Sequence, residues 1–328
     1  MNKCKILSQK HHKVMIGILL AAMLVFPLMG FSQYVYRIAV VSVLYAILAM
    51  SLNLIAGVAG QISLGHIAFY GIGAYTSALL CVNFGVSVWV GILAAFVVSM
   101  LFGLLIAIPT LKLSGGYLAI LTMSFAEIIR LILLNWTSVT RGPMGILNIP
   151  KPSLFGYTIK SSGTFLYLVL TVAIIVYIGL HNLIHSRFGR NLQALRDDEI
   201  SSESMGINVY RYKVIAFVIS TGIAGVAGAL FASYMEFIDP SSFISDESTV
   251  ILSMVVLGGM GNMNGSIIAA ALLTILPEAL RSFSDYRMLV YGVVLVAMML
   301  LKITDWAAIK RSLKTALNFK TGGKESGT

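Results

Sequence analysis

The sequence predicts an all-α polytopic membrane protein with about eight to ten transmembrane helices. Hydrophobic residues make up 58% of the 328 residues and charged residues only 11%, which lies outside the range of soluble globular domains. Glycines and uncharged polar residues interrupt the apolar runs at two places. Such interruptions are typical of transport proteins, because irregular backbone inside a membrane must lie against protein or a water-filled path.

The chain divides into a tail at 1–13, a transmembrane domain at 14–304 and a basic tail at 305–328. The first apolar run is interpreted as an uncleaved helix rather than a signal peptide, because no clean Ala-x-Ala site follows it. The short apolar run at 249–257 and the next run, at 266–280, either cross the membrane separately or together form a re-entrant hairpin. The predicted spans, about ten, are 14–31, 38–56, 67–84, 86–108, 117–134, 164–184, 214–234, 249–257, 266–280 and 288–303.

Membrane topology explains the net charge of +10 without nucleic-acid binding. With ten passes and the first tail inside, only six of the 23 Lys and Arg residues lie outside and one, Arg130, lies within a span. The other sixteen lie inside, as the positive-inside rule requires. Both termini are therefore predicted to be cytoplasmic. The six outside are Arg37, Arg141, Lys151, Lys160, Arg281 and Arg287.

The first interruption covers residues 51–66, and a set of neutral polar side chains lies in it and around it. These groups could bind the ends of a zwitterion along a translocation pathway without the cost of a fixed charge. Each of them could instead make interhelical hydrogen bonds, worth about 0.6–2 kcal/mol apiece. A second glycine-rich interruption, at 257–265, in the other half of the chain points to a central site between repeats. The polar set is Asn53, Gln61, Ser63, His66 and Tyr75.

Glu127 and Arg130 lie three residues apart within one span, hence on one helix face. An unpaired charge at the centre of a bilayer costs about 2.5–3.5 kcal/mol on insertion scales, so both side chains are expected to face protein or water. They form either a polar patch on the outer part of the pathway or an ion pair that fixes helix packing.

The polar segment 185–213 faces the cytoplasm in this topology. Leu192, Leu195, Glu199, Ser202 and Met205 recur at helical spacing and predict one short amphipathic helix that Gly206 ends. Another protein could grip such a helix, although its acidic residues could also serve only to keep a loop solvated. The outer segment 136–163 is rich in turn residues and is either a connector or a docking surface.

The sequence contains neither a phosphate-binding P-loop motif nor Cys and His residues at metal-ligand spacing. We therefore expect no enzyme activity, no metal and no cofactor in this chain itself. Small residues four apart, Ala224 with Gly228 and Gly225 with Ala229, predict close helix packing.

A series of motifs occurs along the chain at 51–54, 60–66, 71–75, 125–130 with 134–136, 142–145, 189–190 through 196–199 to 205–208, 255–261 and 276–278. In this order they resemble the integral-membrane permeases of branched-chain amino acid ABC transporters, specifically the LivM-type member of the LivH/LivM pair. The resemblance covers roughly residues 40–300 and is far more specific in combination than in any single motif.

This resemblance implies a type II importer fold in the plasma (inner) membrane of a prokaryote. It implies as partners a second, LivH-type permease, two cytoplasmic ATP-binding subunits that use the ATP, and an extracytoplasmic solute-binding protein. Residues 189–208 then correspond to the coupling helices that dock on the ATPases. The coupling residues implied are Gly189, Arg190, Arg196, Asp198, Glu199, Glu203 and Gly206.

The chain departs from the family after its last span, where many members carry an Arg-Pro-x-Gly-Leu turn and this chain reads Leu-Lys-Ile-Thr-Asp-Trp at 301–306. The expected substrates are leucine, isoleucine and valine, with urea or short amides as the alternative, since related permeases handle these. A stand-alone channel or ion-coupled carrier using Glu127 and Arg130 is the rival mechanism. A purely structural scaffold fits poorly with two interrupted spans.

Overall fold

The computed structural model describes residues 32–110, 116–154, 157–159 and 161–279, with residues 292 and 296 in addition. The chain divides into two compact units, 1–275 and 276–328, and almost all described residues belong to the first. The predicted spans 14–31 and 288–303 therefore lie outside the described residues, apart from positions 292 and 296.

Six helices of the described part are long and apolar enough to cross a membrane. They confirm the second to seventh predicted spans. Two further apolar helices, α10 (Ser245–Gly258) and α11 (Met263–Ala279), are shorter, so the total of about ten crossings stays a prediction. The six long helices are α1 (Gln33–Asn53, extended to Val58), α2 (His66–Phe84), α3 (Val88–Thr110), α4 (Gly116–Asn135), α6 (Ser162–His185) and α9 (Val209–Met235).

Short helices and strands cap the two ends of this bundle. At one end, here the helix-pair end, lies the helix pair α7 (Arg187–Asp197) and α8 (Glu199–Ser204). At the other, here the strand end, β1 (Ile146–Leu147) pairs antiparallel with β4 (Phe237–Ile238), and β2 (Ser153–Leu154) pairs with β3 (Tyr157–Thr158). The one-turn helix α5 (Thr137–Thr140) and the 3₁₀ turns Gly142–Met144 and Pro240–Phe243 also lie in the segments that carry the strands, so the turn-rich segment is ordered where it is described.

Helix α9 packs against α2 and α3 through small residues. A Cβ atom added at Gly228 would overlap the Tyr70 carbonyl of α2, and one added at Gly225 would overlap Ser99 of α3. The expected close packing at these positions is therefore present. The opposing face of α3 repeats small residues every fourth position, a stripe that the sequence reasoning missed: Gly91, Ala95, Ser99, Gly103 and Ala107, all buried.

The other face of α3 is apolar and exposed. An exposed stripe with i, i+4 spacing runs along it through Leu93, Val97, Leu101 and Leu105. In the most apolar 18-residue stretch of this helix, only 28% is buried. Leucine and valine suit hydrocarbon, which offers no polar partners. The composition of this face of α3 therefore suits an apolar environment such as lipid.

Polar residues define where the helices start and end. The hydroxyls of Ser161 and Ser186 accept hydrogen bonds from first-turn N–H groups of α6 and α7. The side-chain amide oxygen of Asn208 accepts one from the first turn of α9 in the same way. Gly85 ends α2 in the left-handed conformation, with its N–H donating to the Leu80 carbonyl. These caps satisfy backbone groups that a helix leaves unpaired at its ends.

The glycine contacts of α9 generate a first prediction. We expect Gly228→Ala to destabilise the bundle by about 1–3 kcal/mol, the usual cost of an overpacked core, because the new methyl group meets backbone rather than a flexible side chain. Gly179→Ala on α6 is the matched control, since nothing lies within 4 Å of its added Cβ. Thermal unfolding in detergent measures both, and equal midpoints for the two variants would contradict the packing argument.

Candidate functional site

The first break comprises residues 54–65, between the regular part of α1 and the start of α2. Leu54–Val58 form a π-helix in which the Ala59 N–H donates to the Leu54 carbonyl at 3.1 Å. Gly60 then adopts a φ of 73°, and the chain continues without regular structure to His66. A π-helical turn inside an α-helix is rare and occurs often at functional sites. The interruption expected from the sequence is thus a widened helix turn followed by an irregular segment.

Side chains in the irregular segment alternate between the inside and the outside of the bundle. Gln61 is 6% exposed and Ser63 is fully buried, whereas Ile62 between them is 42% exposed. The Gln61 side-chain oxygen has no hydrogen-bond partner among the described residues. The polar groups expected to line a pathway are therefore turned into the bundle, and the side chain presented outward is apolar.

His66 begins α2 and is fully buried. Its Nε2 lies 2.7 Å from the Ser51 hydroxyl, which itself donates to the Leu48 carbonyl. With the Ser51 proton so engaged, Nε2 must donate, which leaves Nδ1 as an acceptor with no partner among the described residues. The Ser220 hydroxyl of α9 donates to the Ser51 carbonyl at 2.5 Å, so this polar cluster also holds α9 to α1.

The second break lies between α10 and α11. Gly259 and Gly261 adopt φ angles of 101° and 83°, conformations that favour glycine, and the Asn262 N–H closes the turn onto the Gly259 carbonyl. On the α11 side, Asn264 accepts a hydrogen bond from the Tyr177 hydroxyl of α6 at 2.7 Å. The second interruption predicted from the sequence is thus also present.

The Asn53 side chain joins the two breaks. Its amide oxygen accepts from the Gly261 N–H at 2.8 Å, and its amide nitrogen donates to the Ser266 hydroxyl at 3.0 Å. Asn53 is fully buried at the last position of regular α1. Of the predicted polar set, Asn53 is thus the member that makes a long-range contact between breaks, 208 positions apart along the chain.

Tyr75 lies apart from the other members of the predicted set. It is nine residues, roughly 13 Å, along α2 from His66 toward the strand end. Its ring packs edge-on against Phe243 at 6.0 Å, and its hydroxyl has no partner among the described residues. The set therefore runs along the bundle rather than forming one compact cluster.

Glu127 and Arg130 form an ion pair on α4. Arg130 Nη2 lies 2.5 Å from Glu127 Oε1, and Arg130 Nε lies 3.0 Å from the same oxygen. Ser245, at the start of α10, donates to Oε2 of Glu127 at 3.3 Å. The two side chains are 25% and 43% exposed for Arg130 and Glu127, so the pair sits on the surface of a membrane-spanning helix.

At the strand end, charged groups line an open cavity of about 310 Å³. Arg37 of α1 lines it beside an ion pair in which Lys151 Nζ lies 2.7 Å from Glu236 Oε1. Tyr234 and Phe165 supply apolar wall. The sequence reasoning did not single out this cavity, because its walls come from three separate segments.

The helix pair is two helices, where the sequence predicted one. Asp198 has extended backbone angles and caps α8: its carboxylate accepts from the Ser201 N–H at 3.0 Å. The backbone N–H and hydroxyl of Ser201 hold the pKa of the Asp198 carboxyl below its ordinary value. The single-helix prediction was wrong because an aspartate followed by a helix-forming turn is a helix start.

The predicted helical face is only partly buried. Leu192, Leu195 and Ser202 lie inside, whereas Met205 is 83% exposed and the neighbouring Ile200 is 80% exposed. The helix pair thus keeps an inner face on the bundle and presents large apolar side chains outward from α8.

The implied coupling residues occupy different positions on the helix pair. Glu199 pairs with Lys213 of α9 at 2.6 Å, and Glu203 is exposed. Arg190 donates to the His185 carbonyl at 2.9 Å, which ties α7 to the end of α6. Gly189 packs on the Ile184 backbone, and Gly206 ends the pair with a φ of 83°.

Arg196 differs from the other residues of this set because its guanidinium reaches the first break. Its Nη1 donates to the carbonyl oxygen of Gly57 in the π-helical turn. The set was grouped by resemblance alone, and no pattern in the sequence indicated this long-range contact.

Comparison with known proteins identifies relatives over most of the chain. The family model described as the permease component of branched-chain amino acid transport systems matches residues 34–300. The high-affinity branched-chain amino acid transport system permease protein LivM of Salmonella typhimurium is 40% identical over 316 residues, covering 89% of this chain and 74% of the relative. LivM of Escherichia coli K12 is 39% identical with the same coverage.

A more distant relative is the permease protein LivH of Salmonella typhimurium, which is 26% identical over 84% of this chain and 94% of its own length. No solved structure matches the chain. Since the family model spans well over half of the residues and the LivM relatives exceed 30% identity over most of both chains, the protein belongs to the family of branched-chain amino acid transport permease components.

Proposed function

We propose that this chain is a transmembrane permease subunit of an ABC importer with a type II fold, and that it translocates leucine, isoleucine and valine across the plasma membrane of a prokaryote. Its partners would be a LivH-type permease, two cytoplasmic ATP-binding subunits and an extracytoplasmic solute-binding protein. The family membership and the names of its relatives support this assignment. ATP is bound and hydrolysed by the partner subunits, and this chain supplies the path.

The observation that carries the proposal is the Asn53 bridge between the two breaks. Interrupted helices in two halves of a transporter commonly meet at a central site, because unwound backbone is tolerated only where protein or a water-filled cavity satisfies it. Here one buried amide satisfies backbone of the second break from the end of α1. Two breaks joined in this way can move together, as alternating access requires.

The helix-pair end faces the cytoplasm in this proposal. Among the described residues, this end carries Arg187, Arg190, Arg196, Arg211 and Lys213, in agreement with the positive-inside rule. The strand end, with its charged cavity, then faces the solute-binding protein. Both chain termini are assigned to the cytoplasm by the same topology.

The face of α4 that carries Glu127 and Arg130 is proposed to meet the second permease or the pathway between the two permeases. Each exposed charge on a membrane-spanning helix would cost about 2.5–3.5 kcal/mol against lipid, and pairing between the two charges would offset only part of that cost. The α3 face, by contrast, is purely apolar and suits lipid. The chain thus has one surface for hydrocarbon and another that needs a polar or protein neighbour.

The outward face of α8 is proposed to contact an ATPase subunit. Ile200 and Met205 are too exposed for apolar side chains without a partner, and the exposed Glu203 adds a charge on the same short helix. The inner face, through Leu192 and Leu195, fixes the pair on the bundle. A push on α8 would therefore be transmitted to the bundle rather than absorbed by a loose loop.

The described contacts favour this reading over an ion-coupled carrier or a channel. The carboxylate of Glu127 is held by Arg130 and by Ser245, so it lacks the free coordination that a coupling ion would use. The names of the LivM relatives favour branched-chain amino acids over urea or a short amide. The carrier and the amide permease remain the alternatives against which the experiments below are designed.

Assembly with ATPases is the first test. Tagged protein coexpressed with its neighbouring subunits and purified in mild detergent should bring down a second permease and ATP-binding subunits, and the eluate should hydrolyse ATP. In vesicles with the binding protein, labelled leucine should be taken up only with ATP inside, and labelled urea should not. A lone, ATP-inactive chain from a well-preserved preparation would favour the carrier.

Substitutions on the helix pair test coupling. We expect Arg190→Ala and Glu199→Ala to lower leucine uptake by about tenfold or more while membrane insertion is unchanged, whereas the loss of one partly exposed ion pair accounts for about fivefold at most. Arg187→Ala, in the first turn of the same helix, is the control for removing a cation. Unaltered uptake in the first two variants would remove these residues from the coupling surface.

Asp198 gives a prediction in pH. Its depressed pKa means that its capping contribution is fully present above the ordinary carboxyl pKa and is lost only as the pH falls through the lower folded value. We therefore expect no change in coupling from this group between pH 6 and pH 8. Asp198→Ala should lower uptake at every pH in this range, and Asp198→Ser, which keeps a capping oxygen, should restore it. Equal uptake by the two variants would contradict the capping role.

A further inference from the structure

We propose that Arg196 is a positioning residue that clamps the helix pair to both breaks, and that opening of the pathway at the helix-pair end requires this clamp to move. The proposal rests on the function proposed above. It gives Arg196 a role different from that of the outward-facing residues of α8: it touches the moving parts of the pathway.

The first contact of the clamp uses the end of α1. The last carbonyl groups of a helix have no partner within the helix and carry partial negative charge. Arg196 donates from Nη1 to one of them, the carbonyl of Gly57. A guanidinium is permanently charged and suits this position, since a cation at a helix C-terminus interacts favourably with the helix dipole.

The stem of Arg196 lies on the same break. A Cβ atom built at Gly60 would be 3.0 Å from Cγ and 3.5 Å from Cβ of Arg196. Gly60 also has a positive φ, so both its conformation and its neighbour favour glycine. The arginine therefore spans the first break from Gly60 to Gly57.

The second break approaches the same guanidinium. A Cβ atom built at Gly261 would lie 3.2 Å from Nη1 of Arg196 and 3.3 Å from the Gly57 carbonyl oxygen. The N–H of Gly261 donates in turn to Asn53. One guanidinium and one amide thus connect the helix pair, the first break and the second break in a continuous chain of contacts.

Nearby acidic groups do not compete for this guanidinium among the described residues. Asp198 is engaged by Ser201, and Glu199 is engaged by Lys213. Leu192 and Leu195 are both buried, and their packing fixes the rotation of α7 about its own axis, which directs Arg196 to the breaks. Gly60 and Gly261 are themselves exposed, so the clamp lies at the mouth of the bundle, where it can open without disrupting the core.

Removal of the clamp should separate ATP hydrolysis from transport. In the assembled transporter in vesicles, Arg196→Ala should lower leucine uptake by about tenfold or more, the effect of losing one hydrogen bond from a charged group. ATP hydrolysis should persist but no longer respond to the loaded binding protein. Arg196→Lys, which keeps the charge without the fork, should fall between, and Arg187→Ala should behave as the unmodified protein. Normal uptake with normal stimulation in Arg196→Ala would overturn the proposal.

A disulfide tests the geometry and the movement through the rate of cross-linking, a measurement that does not need the guanidinium. Gly60→Cys with Arg196→Cys, in a background with Cys4→Ser and Cys81→Ala, places the two Cβ atoms about 3.5 Å apart, within the range of disulfides. Gly60→Cys with Arg187→Cys is the control, because position 187 lies at the start of α7, nine residues and roughly 13 Å before position 196.

We expect the first pair to cross-link without nucleotide, more slowly when ATP and vanadate hold the ATPases closed, and the control pair not to cross-link. Because Arg196→Cys also removes the guanidinium, the reduced variant should show only the low uptake expected of Arg196→Ala, and oxidation should abolish that remaining uptake. Absence of the cross-link, equal rates in both nucleotide states, or equal uptake by the oxidised and the reduced protein would each overturn the clamp. Failure to recover ATPase subunits at all would instead count against the proposed function.

Discussion

The need to satisfy backbone groups away from water is the constraint on which this structure depends. A regular helix satisfies its own N–H and C=O groups, so each departure from helical geometry inside the bundle must find partners elsewhere. Side chains supply partners to both breaks: Asn53 accepts a hydrogen bond from the Gly261 N–H of the second break, and Arg196 of α7 donates one to the Gly57 carbonyl of the first. The irregular backbone is thus held by side chains that come from distant parts of the chain.

Close helix packing makes room for these polar contacts. Where α9 meets α2 and α3, glycine and serine let the backbones approach, and the hydroxyls of Ser99 and Ser220 donate to carbonyl groups of neighbouring helices. A larger residue at Gly228 would push α9 away from α2 and lengthen the hydrogen bond from Ser220 to Ser51. Ser51 in turn contacts His66 through its hydroxyl. Packing of small residues and positioning of the polar cluster are therefore one arrangement.

The parts of this architecture that follow from local pattern could be predicted from the sequence. Apolar runs locate the described spans, and glycine-rich interruptions locate both breaks, because hydropathy and backbone freedom are local properties. The contacts of Asn53 and Arg196 could not be predicted, since they join residues more than a hundred positions apart. The inward orientation of Gln61 and Ser63 could not be predicted from the sequence either, because an irregular segment has no periodicity that indicates which side chains face the bundle. The division of the helix pair at Asp198 was readable from its capping pattern and was missed.

The ion pair on α4 has a consequence for energetics across the membrane. An elementary charge carried through the full membrane potential exchanges about 2.3 kcal/mol with it per 100 mV. Glu127 and Arg130 are held 2.5 Å apart on adjacent turns of one helix, so together they have no net charge. If α4 shifts, the work done by the field on one side chain cancels that done on the other. A branched-chain amino acid is likewise a zwitterion of zero net charge, so its transfer across the membrane exchanges no net work with the field.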